Sequence, residues 1–239
     1  MTGISVAVMT HNEIPQFHWM MEALAPAFGI VDEIVVIDDF STPECVAAIR
    51  SYEDKAPLRF YQRALNKNFA KQRNYMKMMC RGDLIFFLDP DELPARQVVA
   101  GLPAIMEMMQ KLDIDACTLP RRTILHVAST PVHPSRIDPK HPGILQDFWE
   151  DQVRILRNLP HLHWTMRLHE YVTGIRRGYR FPHQPEFALL HPKTTAAAKV
   201  GRTLYDSIHM RHFSRMKNSI YKRLPWRRST EWVTAAVPF

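Results

Sequence analysis

Residues 84–92 read LIFFLDPDE: five apolar side chains in succession, Leu84 to Leu88, running straight into Asp89-Pro90-Asp91-Glu92. An apolar run without alternation describes a strand covered on both faces, as in a parallel sheet sandwiched by helices. Asp and Pro at its end describe a turn, and an acidic one. Working back toward the N-terminus, Ile4 to Met9, Glu33 to Ile37 and Leu58 to Tyr61 have the same character of short strands. Between them lie stretches with helical spacing. Ile14 to Phe28 carries Phe17, Met20, Met21 and Leu24 and ends at Pro26. Val46 to Tyr52 follows Pro43 with Ser41 or Thr42 as its cap. Phe69 to Cys80 has Tyr75, Met76 and Met79 inward, Lys71, Arg73 and Lys77 outward, and Gly82 as its stop. Gln97 to Leu112 follows residue 92. Strands alternating with helices predict an α/β fold with a mostly parallel, doubly wound sheet.

Ligands of such sheets bind outside the carboxyl ends of the strands. Thr10 to Glu13, Asp38 to Thr42 and Asp89 to Glu92 all sit at predicted strand ends, so the topology predicts that they gather on one edge. After about residue 115 the pattern changes. Residues 126–147, rich in Pro and His, read as a long loop. Gln152 to Leu156 and Tyr171 to Ile175 read as strands, and helix returns from Lys199 to Tyr221. These shifts divide the chain into 1–115, a ligand-binding half; 116–198, a second half of the same domain; and 199–239, a basic helical tail.

The 239 residues carry 31 Lys and Arg against 24 Asp and Glu, a net charge of +7, and 46% are hydrophobic. That composition suits a folded chain with an anionic partner: nucleotide diphosphate, phospholipid headgroup, acidic glycan or nucleic acid. No apolar run approaches the length of a membrane span. MTGISVAVMT lacks the pattern of a signal peptide, so a cytoplasmic location is expected. Cys45, Cys80 and Cys117 are dispersed and odd in number, which argues against a disulfide framework. The twelve histidines include His126, His133, His141, His161, His163, His209 and His212, but lack the Cys partners or helical spacing of a zinc site.

Two carboxylates one residue apart, Asp89 and Asp91, on a turn after a buried strand can share a hard divalent cation, Mg²⁺ or Mn²⁺. Such a cation neutralises a leaving diphosphate. The same triplet also serves as plain turn punctuation and a helix cap. Asp38 and Asp39 at the same predicted edge favour the ligand-binding reading.

The segments ISVAVMTHNE (4–13), DEIVVIDDFST (32–42) and LNKNFAKQRNYMKMMCRGDLIFFLDPDE (65–92) resemble the family 2 glycosyltransferases with the GT-A fold. They are most like the bacterial lipopolysaccharide core glucosyltransferase-like branch. QVRILRN (152–158) and LHEYV (168–172) resemble that branch's downstream motifs, so the likeness covers about residues 3–195. The resemblance implies an inverting, metal-dependent transfer from a nucleotide-sugar, a UDP-sugar first, to a hydroxyl acceptor on a saccharide or lipid-linked glycan. It implies a Rossmann-like sheet flanked by helices with a smaller acceptor-side subregion. Thr10, Asn12 and Glu13 would line the base, with Asp38 and Asp39 beside the base or ribose. Lys71, Arg73 and Asn74 would lie near the diphosphate. Asp89, Asp91 and His191 would hold the metal. Glu170 would be the general base, with Asp151 as the competing carboxylate. Two positions depart from the family pattern: Phe40 stands where a small residue is usual, with a reshaped base pocket expected, and Pro90 stiffens the acidic triplet.

Two alternatives share this reading of the donor site. A DNA glycosyltransferase of the phage type, acting on a hydroxymethylated base, would use the basic aromatic tail (Arg215, Lys217, Lys222, Arg223, Trp226, Arg227, Arg228) along a phosphate backbone. The same tail would equally suit a peripheral contact with an anionic membrane. A non-catalytic module that binds sugar-nucleotides is the alternative of another class, opposed by the intact Asp89, Asp91, Glu170 and His191. A nucleotidyltransferase would show a Gly-rich phosphate loop, and the chain has only 8 glycines.

Overall fold

The computed structural model describes residues 3–128, 130–133, 143–208 and 230–234. In chain order the first half forms β1 (Ile4–Thr10), α1 (Gln16–Leu24), β2 (Glu33–Asp38), α2 (Pro43–Arg50), β3 (Leu58–Gln62), α3 (Phe69–Met79) and β4 (Leu84–Leu88). Strands β1, β2, β3 and β4 are mutually parallel in the order β4-β1-β2-β3. All five side chains of β4 are buried, as its unbroken apolar run requires. Thr42 caps α2 with its side chain, and Asn68 caps α3 by accepting from the Lys71 N–H at 3.0 Å.

The second half comprises β5 (Leu93–Pro94), α4 (Arg96–Ala100), α5 (Leu102–Lys111), β6 (Ala116–His126), β7 (Ile144–Arg157), β8 (His163–Thr165), β9 (Tyr171–Thr173), β10 (Arg177–Arg180), β11 (Leu189–Thr194), α6 (Thr195–Ile208) and β12 (Glu231–Val233). The ten-stranded sheet continues past β4 through β7, β6, β10 and β12, and β11 lies along the far half of β6. Strand β7 runs antiparallel to both neighbours, β4 and β6, in a mixed, mostly parallel α/β sheet flanked by helices. Strands β8 and β9 pair separately. One apolar cluster packs under α1, α4 and α5, with Phe17, Met20, Phe86 and Ile105 at its centre. A second lies on the opposite face, beneath α3 and β8, around Phe87, Met76 and Trp164.

Several sequence expectations change. Residues 126–147 are not wholly loop: β6 runs to His126 and β7 begins at Ile144, paired from Ala116↔Leu156 to His126↔Ile144 with register shifts at Cys117/Thr118 and Leu125/His126. The outer part of β7 leaves most side chains exposed, so it lacks the burial pattern that betrays a strand. Strand β6 carries Pro120, which falls between the segment paired with β10 (to Thr118) and the segment paired with β11 (from Arg121), where a missing N–H is tolerated. The helix expected over 97–112 is broken at Gly101. Helix α3 is capped at Cys80, and Gly82 is required instead by close packing: a Cβ there would lie 2.7 Å from the Ser5 backbone N. The last helix starts at Thr195, and the remainder of its expected span, with the basic aromatic tail and His141, His209 and His212, falls outside the described residues.

Candidate functional site

The carboxyl ends of β1, β2 and β4 do meet on one edge. Asp39 donates its N–H to Thr10 O at 2.9 Å, Asn12 donates its N–H to Ser41 Oγ at 2.8 Å, and Thr42 donates its N–H to Asn12 Oδ1 at 2.8 Å. Asp38 is fully buried and accepts from Ser41 N–H at 3.0 Å, Gln62 Nε2 at 3.0 Å and the Ser41 hydroxyl. Asp39 Oδ1 accepts from Leu65 N–H at 2.9 Å. Phe40, with φ 49°, is 60% exposed, so its bulk stands outward at the rim.

The acidic turn after β4 is built into a chain of alternating charges. Asp89 accepts from Arg73 Nη2 at 3.0 and 3.2 Å and from Arg154 Nη2 at 2.7 Å. Arg154 also grips Glu92, whose side chain is fully buried, and Glu92 accepts from Arg121 Nη1 at 3.1 Å. Arg121 in turn binds Glu150, and Arg73 Nε donates to Glu170 Oε1 at 2.7 Å. Arg73 was expected on the outer face of α3. It is 4% exposed, because the segment bearing β8 covers that face and places its guanidinium 5.1 Å from the Trp164 ring. Burial alone would raise the Asp89 carboxyl, but the guanidiniums of Arg154, Arg73 and Arg121 hold it far below its ordinary range.

Asp91 faces the other way. Its Oδ2 lies 3.0 Å from His191 Nε2 across 100 residues of chain, and His191 Nδ1 lies 2.9 Å from Thr123 Oγ1. Burial raises the Asp91 carboxyl, and His191 more than offsets that, leaving it lowered. Glu13 stands close enough to feel both aspartates. Its carboxyl is raised well above the ordinary value, first by loss of solvent and then by Asp91 and Asp89. Among the described residues no three His, Cys, Asp or Glu side chains are gathered in a ready metal-holding group.

The other expected residues take different places. Asn74 uses both amide groups on the Trp164 backbone, at 2.8 Å each, which seats α3 against β8. Lys71 is exposed in the first turn of α3. Asp151 contacts His183 Nε2 at 2.9 Å and Arg180 Nε at 3.3 Å, not Arg73 or Arg154. Sequence reasoning did not single out Arg121 or Arg154 for the site. The only signal was Arg154 inside a strand of otherwise apolar character, where a guanidinium needs a partner.

Residues 5–179 match the family described as "Glycosyl transferase family 2". The match is to the family and does not single out the lipopolysaccharide core branch. No curated protein matches the chain. Solved structures with a similar fold include S. aureus TarS 1-349 in complex with UDP, at 20% identity and TM-score 0.42, with 58% of this chain and 38% of that one covered. S. aureus TarS 1-349 has 14% identity, TM-score 0.48 and coverage of 95% and 77%. The mannosyltransferase PcManGT from Pyrobaculum calidifontis in complex with GDP-Man and Mn²⁺ has 22% identity, TM-score 0.42 and coverage of 48% and 34%. The chain thus spans less than two fifths of the UDP-bound TarS chain. No described helix is long and apolar enough to cross a membrane.

Proposed function

The chain belongs to glycosyl transferase family 2, and from that premise we propose that it moves a sugar from a nucleotide-sugar, a UDP-sugar first, to a hydroxyl of a saccharide or lipid-linked glycan, with inversion at the anomeric carbon. One observation carries the reading: Arg73 joins Asp89, on the acidic turn, to Glu170, which lies 97 residues beyond Arg73 in sequence, so the donor-side and acceptor-side carboxylates share one guanidinium. In this reading residues 1–115 hold the donor and 116–198 supply the acceptor side. Asn12 and Asp39 form the rim for base and ribose, positioned from behind by Thr10 and the buried Asp38 rather than joined by them, and Lys71 is free to swing toward the diphosphate. Asp91 and His191, with Asp89 behind them, suit a divalent cation. The Thr123 hydroxyl holds the far nitrogen of His191 and so fixes the ring's orientation, and Mg²⁺ or Mn²⁺ needs few protein ligands when diphosphate oxygens complete the shell. When bound, the cation would offset the charge that builds on the departing nucleoside diphosphate.

Glu170 is the general base. Arg73 holds Oε1, and Oε2 takes the proton from the acceptor hydroxyl. The acceptor oxygen bonds to the anomeric carbon as the bond from that carbon to the phosphate oxygen breaks, its electron pair leaving on the diphosphate. Donor hydrolysis across UDP- and GDP-hexoses with Mn²⁺ tests the reading. Asp91→Ala should abolish turnover, and Glu170→Gln should bind donor yet lose about 10²- to 10⁴-fold in transfer. Full activity in Glu170→Gln together with a dead Asp151→Asn would move the base to Asp151.

A further inference from the structure

Helix α6 follows directly on β11, the strand that carries His191. It is poorly covered: Val200 is 72% exposed and Leu204 40%. Tyr205, on the same helix, nevertheless meets the site. Its ring is edge-on to Phe69, the first residue of α3, at 6.5 Å, and to His169, the residue before Glu170, at 6.0 Å. Lys67 Nζ reaches Ser207 O, two residues on, at 3.4 Å. The phenol is raised first by burial and then by the charges of Asp89, Glu170 and Asp91, in keeping with its ring contact to the residue before Glu170. Even so, 38% of Tyr205 stays exposed, beside the residue that precedes Glu170. Phe69 and Lys67 join the helix to the start of α3 and to the loop that Leu65 ties to Asp39.

We propose that Tyr205, backed by His169 and Phe69, is a stacking platform for a pyranose ring, the acceptor glycoside whose hydroxyl is presented to Glu170. The inference rests on the glycosyltransferase reading. A pyranose offers a face of C–H groups, which carry slight positive charge, and an aromatic face carries the complementary negative quadrupole. Stacking of this kind is expected to be worth about tenfold in affinity.

The test is binding of methyl α- and β-glucosides, galactosides and mannosides to the full chain loaded with UDP and Mn²⁺, followed by saturation-transfer NMR. Tyr205→Phe should keep wild-type affinity within about threefold, whereas Tyr205→Leu, which retains apolar bulk without the ring, should weaken glycoside binding about tenfold. UDP affinity, measured in parallel, should hold in both variants. Equal glycoside binding by Tyr205→Leu overturns the platform. So does loss of UDP binding in Tyr205→Leu, which would make the ring a donor contact, or wild-type protein that binds UDP and none of the glycosides. Wild-type protein that neither binds UDP nor hydrolyses any donor would instead sink the glycosyltransferase reading itself.

Discussion

Replacing Arg154 with Met tests whether the buried charge chain is structural as well as functional. The Arg154 side chain is 3% exposed and binds Asp89 and Glu92 through a single Nη2. In the variant Asp89 keeps Arg73 and Glu92 keeps Arg121, so neither carboxylate is orphaned, but two guanidiniums then face the four carboxylates Asp89, Glu92, Glu150 and Glu170. Breaking a buried pair by removing one partner costs about 3–5 kcal/mol, and the surviving partners place this case near the lower end, about 3 kcal/mol at pH 7. For a chain of this size that is a fall of roughly 6–12 °C in Tm. Because the folded Asp89 carboxyl is depressed, its contribution is present above its unfolded value near 4 and is lost as pH falls through the folded value. Taking away Arg154 shrinks that depression, so the variant should lose less stability than the wild type as pH falls below about 4, and the gap between them should narrow in acid. Urea unfolding from pH 3 to 8 in EDTA measures both effects, and adding Glu92→Gln should recover at least about 1 kcal/mol as coupling. A loss below about 1 kcal/mol at pH 7, or a gap that does not narrow in acid, would refute the reasoning.

Arg73→Lys should cut kcat far more than it raises KM for donor, because one ammonium cannot bridge Asp89 and Glu170 as the guanidinium fork does; steady-state kinetics with varied donor checks it, and a pure KM effect would point to diphosphate contact instead. Gly82→Ala should cost about 1–3 kcal/mol in urea unfolding, since the new methyl would fall 2.7 Å from Ser5 N and 2.8 Å from Gly3 O, both backbone atoms. The Cys80 thiol, pushed up to about 12 first by burial and then by Glu33, should react with DTNB at pH 8 roughly 10³-fold more slowly than a free thiol, reaching the free rate only on unfolding.

What the sequence disclosed and what it hid divide along a physical line. Strand β4 was legible because burial on both faces writes an unbroken apolar run, and β1 and β2 carry the same mark. The capping of α2 was local chemistry at Thr42. Strand β7 was hidden before Gln152 because its outer half projects beyond the core and is held by β6 hydrogen bonds, which demand no particular side chains. Arg73 was misplaced for a related reason. Lys71, Arg73 and Lys77 read as outward by polarity, but Arg73 lies about 200° around the helix from Lys71, and what covers it is Trp164, about ninety residues later. The edge where Thr10, Asp38 and Asp89 meet followed from sheet topology alone, whereas bringing His191 to Asp91 depended on the family resemblance.

The backbone itself marks the same edge. Asn12, Phe40, Met166 and His169 have φ between 49° and 72°, a region that L-residues with side chains occupy at a cost of roughly 1–2 kcal/mol each. Such conformations persist only where neighbours over-determine them. Asn12 is fixed by Ser41 and Thr42, and Phe40 sits between Asp39 and Ser41, both tied to β1 or Asp38. His169 is followed at once by Glu170, which Arg73 holds at 2.7 Å. Left-handed turns therefore flank both the donor rim and the carboxylate assigned as base. Relaxing the turn at residue 169 would swing Glu170 off Arg73 while leaving β8 and β9 paired. A His169→Gly variant, which removes the Cβ penalty without altering the favoured φ, should stabilise the fold slightly. Loss of transfer in that more stable variant would come from the missing imidazole against Tyr205, whereas retained transfer would mean that the turn's geometry, and not its side chain, is what Glu170 requires.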